Sequence, residues 1–320
     1  MRASGRWIIL FVVSLLAACR ATAGGIDVEH VTPGAGGTGP RILAVVAHPD
    51  DEIAFGGTLY KTATALDGVC DVVVITNGEG GFKYATLAER IYELELTDEA
   101  IGRRHLPEIR RRELVAGCRI LGVHDVYFLG EQDHRYTQDI GEVLGGDADV
   151  WDLEHVRAAL RTLLDRNDYD FVLTLPPTPS THAHHKAATL LALEAVAGIP
   201  VDRRPVAMCT RPRSDEAVLE EPLVGFPTTR TLAGSDELVF DRTQHFGYRE
   251  RLSYAIVVNW AIAEHKSQGT MQLLMNAGDE ERYLLFAGHP DAHERARALF
   301  EALARPQFET KTYGASAGAR

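Results

Sequence analysis

The 320-residue chain is poor in cysteine and in positive charge, and each shortage disfavours a class of protein. Its four cysteines are Cys19, Cys70, Cys118 and Cys209. They are too scattered for a disulfide framework or a thiolate metal site, and we expect Cys70, just before a strand, and Cys118, on a helix, to be buried as small apolar residues. The formal net charge is −12, and no basic stripe with interleaved aromatics occurs, so nucleic acid is disfavoured as a partner.

Phosphate-binding glycine motifs and long internal apolar runs are also missing. The glycine-rich segment 77–81 has neither the GxGxxG spacing nor the Lys-Ser/Thr pair of a P-loop, which argues against nucleotide binding. No candidate transmembrane run follows the N-terminal segment. The hydrophobic content of 45% is ordinary for a globular protein. The length therefore allows one large α/β domain or two small ones.

The N-terminus has the pattern of an export signal. Arg2 and Arg6 precede an apolar run at residues 7–16 that is too short for a permanent membrane span. Residues 16–19 read Leu-Ala-Ala-Cys, which resembles the lipobox of bacterial lipoproteins, where cleavage leaves a lipidated cysteine as the first residue. An ordinary cleavage site, with Cys19 present by chance, is the alternative.

The lipobox leads to a prediction about location. We expect a signal peptide at 1–18, a membrane anchor on Cys19 and a flexible Gly/Pro-rich tether over 19–40. Removing the signal peptide changes the formal net charge to −14. Arg20 is not an aspartate-type retention signal. In a Gram-negative host we therefore expect the periplasmic face of the outer membrane.

Short apolar strands alternate with helices along the rest of the chain. This alternation predicts a Rossmann-like α/β domain at 41–305, with a mostly parallel sheet covered by helices on both faces. A frayed tail is expected at 306–320. The predicted strands are 42–47, 72–76, 126–129, 171–175 and 206–210, and the predicted helices are 55–66, 106–121, 153–164, 181–196 and 242–267. Residues 82–105, whose polar part 85–104 could form a lid, and 211–243 are expected to shape the pocket.

The first predicted strand ends abruptly in one imidazole and three carboxylates. His48 is followed by Pro49, which stiffens the turn and aims the polar side chains. His48 and Asp51 could share a divalent cation, which leaves Asp50 free to act as a base toward a metal-bound water. The alternative is that the acidic run only caps the next helix.

A second histidine pair follows the fourth predicted strand. His182 and His185 are three residues apart at the start of a predicted helix, so both can project toward the strand ends. Such a turn can also be a solvated loop. Because parallel strands present their carboxyl ends at one edge, we expect this pair to meet His48 and Asp51. A His/Asp/His set is typical of a catalytic zinc with open positions.

These segments together resemble the PIG-L/LmbE family of zinc-dependent N-deacetylases, which act on N-acetylglucosamine-type sugars. Residues 47–52 read AHPDDE and residues 182–185 form an HxxH box. Three further matches are TNGE at 76–79, RRRE at 110–113 and HKSQ at 265–268. The resemblance covers roughly residues 41–300.

The resemblance implies a role for seven residues. The zinc ligands would be His48, Asp51 and His185, with one ion per chain and Fe²⁺ or another divalent ion as alternatives. Asp50 would be the general base and His182 an imidazolium that stabilises the oxyanion. Arg110 and Asp133 would contact the substrate. One departure is Ala183-His184 inside the HxxH box, where the family often has Pro-Asp, and this changes what can orient His185.

The sequence is compatible with two functions. The first is a hydrolase that removes an N-acetyl group from an N-acetylglucosamine-type sugar or a related amide by metal-activated water. The second is a non-catalytic lipoprotein that keeps the fold and binds glycans. The second would be expected to lose Asp50 or a metal ligand, and none is lost.

Overall fold

The computed structural model describes residues 21–23, 26–32, 37–145, 150–211, 222–233 and 238–306. The predicted signal peptide, Cys19 and nearly all of the predicted tail lie outside these residues. In the described part, no helix is both long and apolar enough to cross a membrane.

Eleven strands occur in the described residues, and nine of them form one sheet. The strands are β1 (Ala21–Ala23), β2 (Ile26–His30), β3 (Arg41–Val46), β4 (Val69–Thr76), β5 (Asp125–Glu131), β6 (Phe171–Thr174), β7 (Val206–Thr210), β8 (Val239–Asp241), β9 (His245–Phe246), β10 (Leu252–Ser253) and β11 (Glu280–Leu285). The sheet order is β1-β2-β5-β4-β3-β6-β7-β11-β8, and β9 pairs with β10 separately.

The middle of the sheet is parallel and its edges are antiparallel. Strands β5, β4, β3, β6 and β7 run parallel to one another. β1, β2, β11 and β8 add antiparallel pairs at the two edges. The chain leaves β3 for β4 on one side and reaches β6 on the other, so a crevice opens between the ends of β3 and β6.

Eight α-helices are described, together with several 3-10 turns. The helices are α1 (Gly56–Ala65), α2 (Thr86–Tyr92), α3 (Glu99–Leu121), α4 (Gly141–Leu144), α5 (Leu153–Arg166), α6 (Ala183–Ala197), α7 (Tyr254–Glu264) and α8 (Ala292–Ala304). The 3-10 turns are Asp51–Phe55, Glu79–Tyr84, Pro227–Thr229, Tyr248–Glu250 and Met271–Leu274.

Two apolar cores cover the two faces of the sheet. Side chains of β3 alternate between them: Ile42, Ala44 and Val46 face α1, α3, α7 and α8, whereas Leu43 and Val45 face α5 and α6. This alternation follows from the two-residue period of a strand. The predicted mostly parallel, Rossmann-like sheet with helices on both faces is confirmed. Cys70 and Cys118 are buried free thiols, as expected, and Cys209 is also a buried free thiol.

The expectation of a flexible tether over 19–40 is wrong for β2, which is part of the sheet. Ile26 and Val28 are buried while Asp27 accepts a hydrogen bond from Arg111 at 2.6 Å, so the segment alternates as a strand does. Gly39 serves close packing rather than flexibility. A Cβ there would lie 2.0 Å from the carbonyl oxygen of Leu66.

The predicted long helix over 242–267 is also wrong. The only α-helix in this range is α7, and it is preceded by the β9-β10 hairpin. Gly247, Arg249 and Glu250 all have positive φ, which a continuing α-helix does not accept. Conversely, α3 begins at Glu99 rather than 106, because the carboxylate of Asp98 caps it by accepting the Ile101 amide hydrogen at 3.0 Å.

Candidate metal centre and active site

The adjacent parallel strands β3 and β6 bring the two predicted motifs together. His48 lies just beyond β3, and residues 182–185 begin α6 after β6. The loop after β3 is held by β4, because Thr76 donates hydrogen bonds from its amide and its hydroxyl to the Ala47 carbonyl, at 2.9 and 2.7 Å. The expected meeting of the two segments is what the fold produces.

Three side chains place metal-capable atoms at one point. Nδ1 of His48 lies 3.1 Å from Nε2 of His185 and 3.6 Å from Oδ2 of Asp51. Nε2 of His185 lies 3.3 Å from Oδ1 of Asp51. Tetrahedral ligands at zinc distances lie about 3.4 Å from one another. The donor set therefore fits a zinc-class ion in both chemistry and spacing.

The field at this point favours a positive charge. Burial alone would lower the pKa of His48, but the hydrogen bond to Asp51 and the charges of Asp133, Asp51 and Asp50 raise it to about 9. For Asp51 the effects have the opposite sign. Burial alone would raise its pKa, but the charges and hydrogen bonds of His185 and His48 hold this pKa well below its usual value. The carboxylate charges that favour a proton on His48 would also attract a divalent cation.

Asp51 is fixed in place by the backbone. Its Oδ2 accepts hydrogen bonds from the amides of Ala47 and His48, at 3.0 and 2.8 Å. Its Oδ1 is left to face His185. Because the two amides hold Oδ2, the other oxygen of Asp51, Oδ1, is oriented toward the candidate metal position.

Asp50 differs from its neighbour although the chemistry is the same. Within the described residues, its carboxylate has no hydrogen-bond or ion-pair partner. Burial, and then the charge of Asp51, raise the pKa of Asp50 to about 6. A free carboxylate with a raised pKa suits a group that must accept a proton near neutral pH.

The surroundings of His182 favour a neutral ring rather than the imidazolium expected for it. It is the N-cap of α6, where its Nδ1 accepts the amide hydrogen of His184 at 3.0 Å. Burial, together with the charges of His48 and His185, lowers the pKa of His182 to about 3. The ring proton is therefore on Nε2, which leaves one neutral N–H to donate.

A second donor group overlaps the first and shares His48 with it. His48, Asp133, His182 and His184 also lie close enough to hold an ion. The side chain of His184 has no exposed surface, whereas those of His48 and His185 are 13% and 23% exposed. A catalytic metal needs an open coordination position. We therefore assign the candidate metal centre to His48, Asp51 and His185.

Asp133 holds the glycine loop that follows β4. Its Oδ2 accepts the Gly80 amide hydrogen at 3.1 Å, and a Cβ on Gly80 would lie 2.5 Å from Oδ1. Asp133 is buried beside the site, 3.5 Å from Nδ1 of His184. Its predicted contact with substrate stays a prediction.

Arg110 is buried, and its guanidinium holds loops together. It donates to the carbonyls of Gly78, Gly81 and Ser267 and to the Ser267 hydroxyl. Four of its five N–H groups are used in this way. In this conformation Arg110 therefore acts on the protein, and its predicted contact with substrate stays a prediction.

The HKSQ segment, residues 265–268, forms a buried clamp that holds Pro49, Glu52 and Glu113. Ser267 donates from its amide and its hydroxyl to the Glu113 carboxylate, with the hydroxyl at 2.6 Å. Gln268 donates to the Pro49 carbonyl at 2.6 Å. His265 and Glu52, both fully buried, pair at 2.6 Å. These contacts explain why the RRRE and HKSQ segments accompany the AHPDDE box.

Sequence reasoning missed three residues that follow β5 and lie near the site. The ring of Tyr136 lies edge-on to His182, 5.0 Å between centroids, and is largely exposed at the mouth of the site. Nδ1 of His134 lies 3.0 Å from Nε2 of His184. Glu142 lies next to His134, 3.3 Å away. Their one signal in the sequence was their position beyond the end of a parallel strand.

A parallel α/β sheet whose strand ends hold a cluster of metal-capable donors beside a free carboxylate defines a hydrolase-type site. Residues 43–196 match the family described as PIG-L: GlcNAc-PI de-N-acetylase. The match spans just under half of the chain and contains both boxes. The named relatives are deacetylases, which hydrolyse an amide C–N bond.

Two curated relatives and one solved structure illustrate the similarity. A probable N-acetyl-alpha-D-glucosaminyl L-malate deacetylase 2 of Bacillus cereus is 26% identical over 183 residues, which is 57% of this chain and 73% of that protein. A 1D-myo-inositol 2-acetamido-2-deoxy-alpha-D-glucopyranoside deacetylase of Thermomonospora curvata is 42% identical over 94 residues, 29% of each chain. The chain thus spans less than a third of that second relative.

The solved structure is a triple mutant of a deacetylase in the teicoplanin biosynthetic pathway. It superposes with a TM-score of 0.52 at 18% identity, covering 78% of this chain and 99% of that chain. At this identity the similarity shows the fold alone.

Proposed function

We propose that the protein is a zinc-dependent N-deacetylase that removes the acetyl group from an N-acetylglucosamine-type sugar or a related amide. The observation that carries the proposal is the convergence of Nδ1 of His48, Oδ1 of Asp51 and Nε2 of His185 at zinc-ligand spacing, with the free Asp50 carboxylate beside them. Fe²⁺ or another divalent ion would suit the same donors.

His48, Asp51 and His185 would hold the ion. When bound there, it would make the attacking water more acidic and polarise the acyl oxygen of the substrate. Asp50 accepts one proton from this water, whose oxygen attacks the acetamide carbon. As the C–N bond breaks, the same proton passes from Asp50 to the leaving nitrogen, which yields a free amine and acetic acid; the acid then ionises to acetate and releases the second water proton.

His182 supports the developing oxyanion with a neutral N–H. Its Nδ1 is occupied by the helix cap, so its ring is fixed and its Nε2–H is free to donate. A group of this kind is typically worth on the order of a hundredfold to a thousandfold in rate. The exposed ring of Tyr136 beside His182 offers a wall against which a sugar ring can lie.

The sugar class is supported by the family and by the names of the relatives, which act on acetylated glucosamine derivatives. The test is acetate release by the full chain from a panel of N-acetylated glycans that differ in the group attached to the sugar. Release that stops on chelation and returns with zinc supports the proposal. No release from any panel member by zinc-loaded protein would reject it.

Metal binding is tested separately from turnover. His48→Ala should leave the purified protein with far less zinc, as measured by elemental analysis, because one of three donors is lost. The control is the same substitution at a histidine remote from the site: His289→Ala should retain the zinc of the parent. Full zinc retention by His48→Ala would contradict the assignment of His48 as a zinc ligand.

A further inference from the structure

His184, the residue by which the HxxH box departs from the family pattern, lies in a line of hydrogen-bonding groups. Its Nδ1 lies 3.1 Å from Nε2 of His48, and its Nε2 lies 3.0 Å from Nδ1 of His134. Nε2 of His134 lies 3.3 Å from Oε2 of Glu142. Four side chains from four separate segments thus connect a proposed metal ligand to a carboxylate near the surface.

The direction of the hydrogen bonds along this line is set by its ends. Nδ1 of His48 faces Asp51 and His185, and it can donate a lone pair to a metal only if the ring proton is on Nε2. The carboxylate of Glu142 can only accept. His48 therefore donates to His184, His184 to His134 and His134 to Glu142, with each ring nitrogen along the line used once.

We propose that His184, His134 and Glu142 are positioning residues that hold His48 in the tautomer and ring orientation needed to bind the metal. The inference rests on the proposed function, because it takes His48 as a ligand. Metal-binding histidines commonly donate their second N–H directly to a carboxylate or a carbonyl. In this chain two imidazoles stand between the ligand and the carboxylate, so Glu142 supplies the terminal acceptor of the line.

Asp133 offers the one competing arrangement in the described surroundings of His184. Its Oδ1 lies 3.5 Å from Nδ1 of His184, which is longer than the 3.1 Å to His48. If His184 carried its proton on Nδ1, it would donate to Asp133 or His48, and the His48 proton would move to Nδ1. In that tautomer Nδ1 of His48, which faces the metal position, carries a proton and has no lone pair to bind an ion. The two arrangements therefore differ in where the ring proton of His48 lies: on Nε2 in the first and on Nδ1 in the second.

The test measures the dissociation constant for zinc alone, using the full chain in competition with a chromophoric chelator. The variants are His184→Ala, which removes the acceptor for His48, and Glu142→Gln, which removes the terminal charge. Glu194→Gln is the matched control, because Glu142 and Glu194 each pair with an arginine, at 2.8 and 2.9 Å, and only Glu142 ends the line. His48→Ala reports on the proposed function itself.

We expect His184→Ala to weaken zinc binding about 10- to 100-fold, the usual effect of losing a partner of a metal ligand. Glu142→Gln should weaken it by about tenfold, at the low end of that range, and Glu194→Gln should have no effect. Urea unfolding checks that each variant is folded. If His184→Ala does not fold, the comparison of Glu142→Gln with Glu194→Gln decides alone.

Two results would overturn the inference. One is parental zinc affinity in Glu142→Gln, since a loss confined to His184→Ala would mean packing rather than a line of hydrogen bonds. The other is a ¹⁵N NMR spectrum of the zinc-loaded parent in which His48 is protonated at Nδ1. If His48→Ala itself kept full affinity, the proposed function would fail, which is a separate and distinguishable outcome.

Discussion

Asp50 and Asp51 are adjacent residues of identical chemistry, and we expect their amide variants to fail in different ways. Asp50→Asn removes the group that accepts the water proton. General base catalysis is worth about 10²- to 10⁴-fold in rate, so kcat should fall by that factor. Because Asp50 has no partner among the described residues, its loss leaves the metal donors in place, and the zinc content should match that of the parent.

Asp51→Asn should instead empty the metal site, and the backbone explains why. An asparagine can place its carbonyl or its NH₂ against the amides of Ala47 and His48, which donate to Oδ2 at 3.0 and 2.8 Å. The NH₂ there would leave buried donors unsatisfied, at about 1–3 kcal/mol each. The carbonyl therefore takes this position, and the NH₂ replaces the oxygen that faces His185. A donor of electrons becomes a donor of protons.

The assay measures zinc by elemental analysis after dialysis, with kcat and KM on whichever acetylated glycan the panel identifies. We expect Asp50→Asn to hold zinc and lose kcat with little change in KM, and Asp51→Asn to lose both zinc and activity. If Asp50→Asn were empty and Asp51→Asn filled, the two roles would be reversed. A fully active Asp50→Asn would refute the mechanism.

Three further outcomes are expected. Gly80→Ala should destabilise the protein by about 1–3 kcal/mol, as overpacking does, because a Cβ would lie 2.5 Å from Asp133; thermal unfolding measures this. The hydrogen bond to Asp71 raises the pKa of His124, so its stabilising effect is complete below the unfolded pKa and is lost as the pH rises through the folded value. His124→Gln should therefore cost more unfolding free energy at pH 5.5 than at pH 9. Cys19→Ser should move the protein from the membrane to the soluble fraction, since a lipidated cysteine supplies the several acyl chains that stable anchoring needs.

Each of these outcomes has a contrary result. Gly288→Ala, with open space around the added Cβ, is the control for Gly80→Ala, and equal melting temperatures would contradict the packing argument. An equal loss of stability at both pH values would show that protonation of His124 contributes nothing. Processing and fractionation of Cys19→Ser like the parent would contradict lipidation.

The central sheet could be read from the sequence because its parallel strands are buried on both faces and appear as continuous apolar runs. β2, β8 and β11 could not be read in this way. Each is antiparallel and at or near an edge, so polar residues such as Asp27 and Glu280 interrupt the apolar pattern. The composition of residues 19–40 also suggested, wrongly, that Gly39 is part of a flexible linker. The chain needs glycine there because the backbone packs closely against residue 66, and this contact cannot be read from composition.

The donor residues of the site were predictable because two boxes at neighbouring strand ends must meet in a parallel sheet. The state of His182 was not, since it depends on a helix cap and on burial that appear only in three dimensions. The line through His184 was equally hidden. Its members come from the ends of three different strands and from α4, and no spacing along the chain relates them.

The buried clamp explains how three consecutive carboxylates can be held at this site. Asp50, Asp51 and Glu52 repel one another, and carboxylates taken out of water without partners are costly. Glu52 is paired with His265, and Asp51 is held by backbone amides and by the two histidines. Arg110 adds a buried positive charge nearby. Of the three, Asp50 alone is left without a partner in the described structure. It is therefore the carboxylate that remains available to accept a proton in the proposed mechanism.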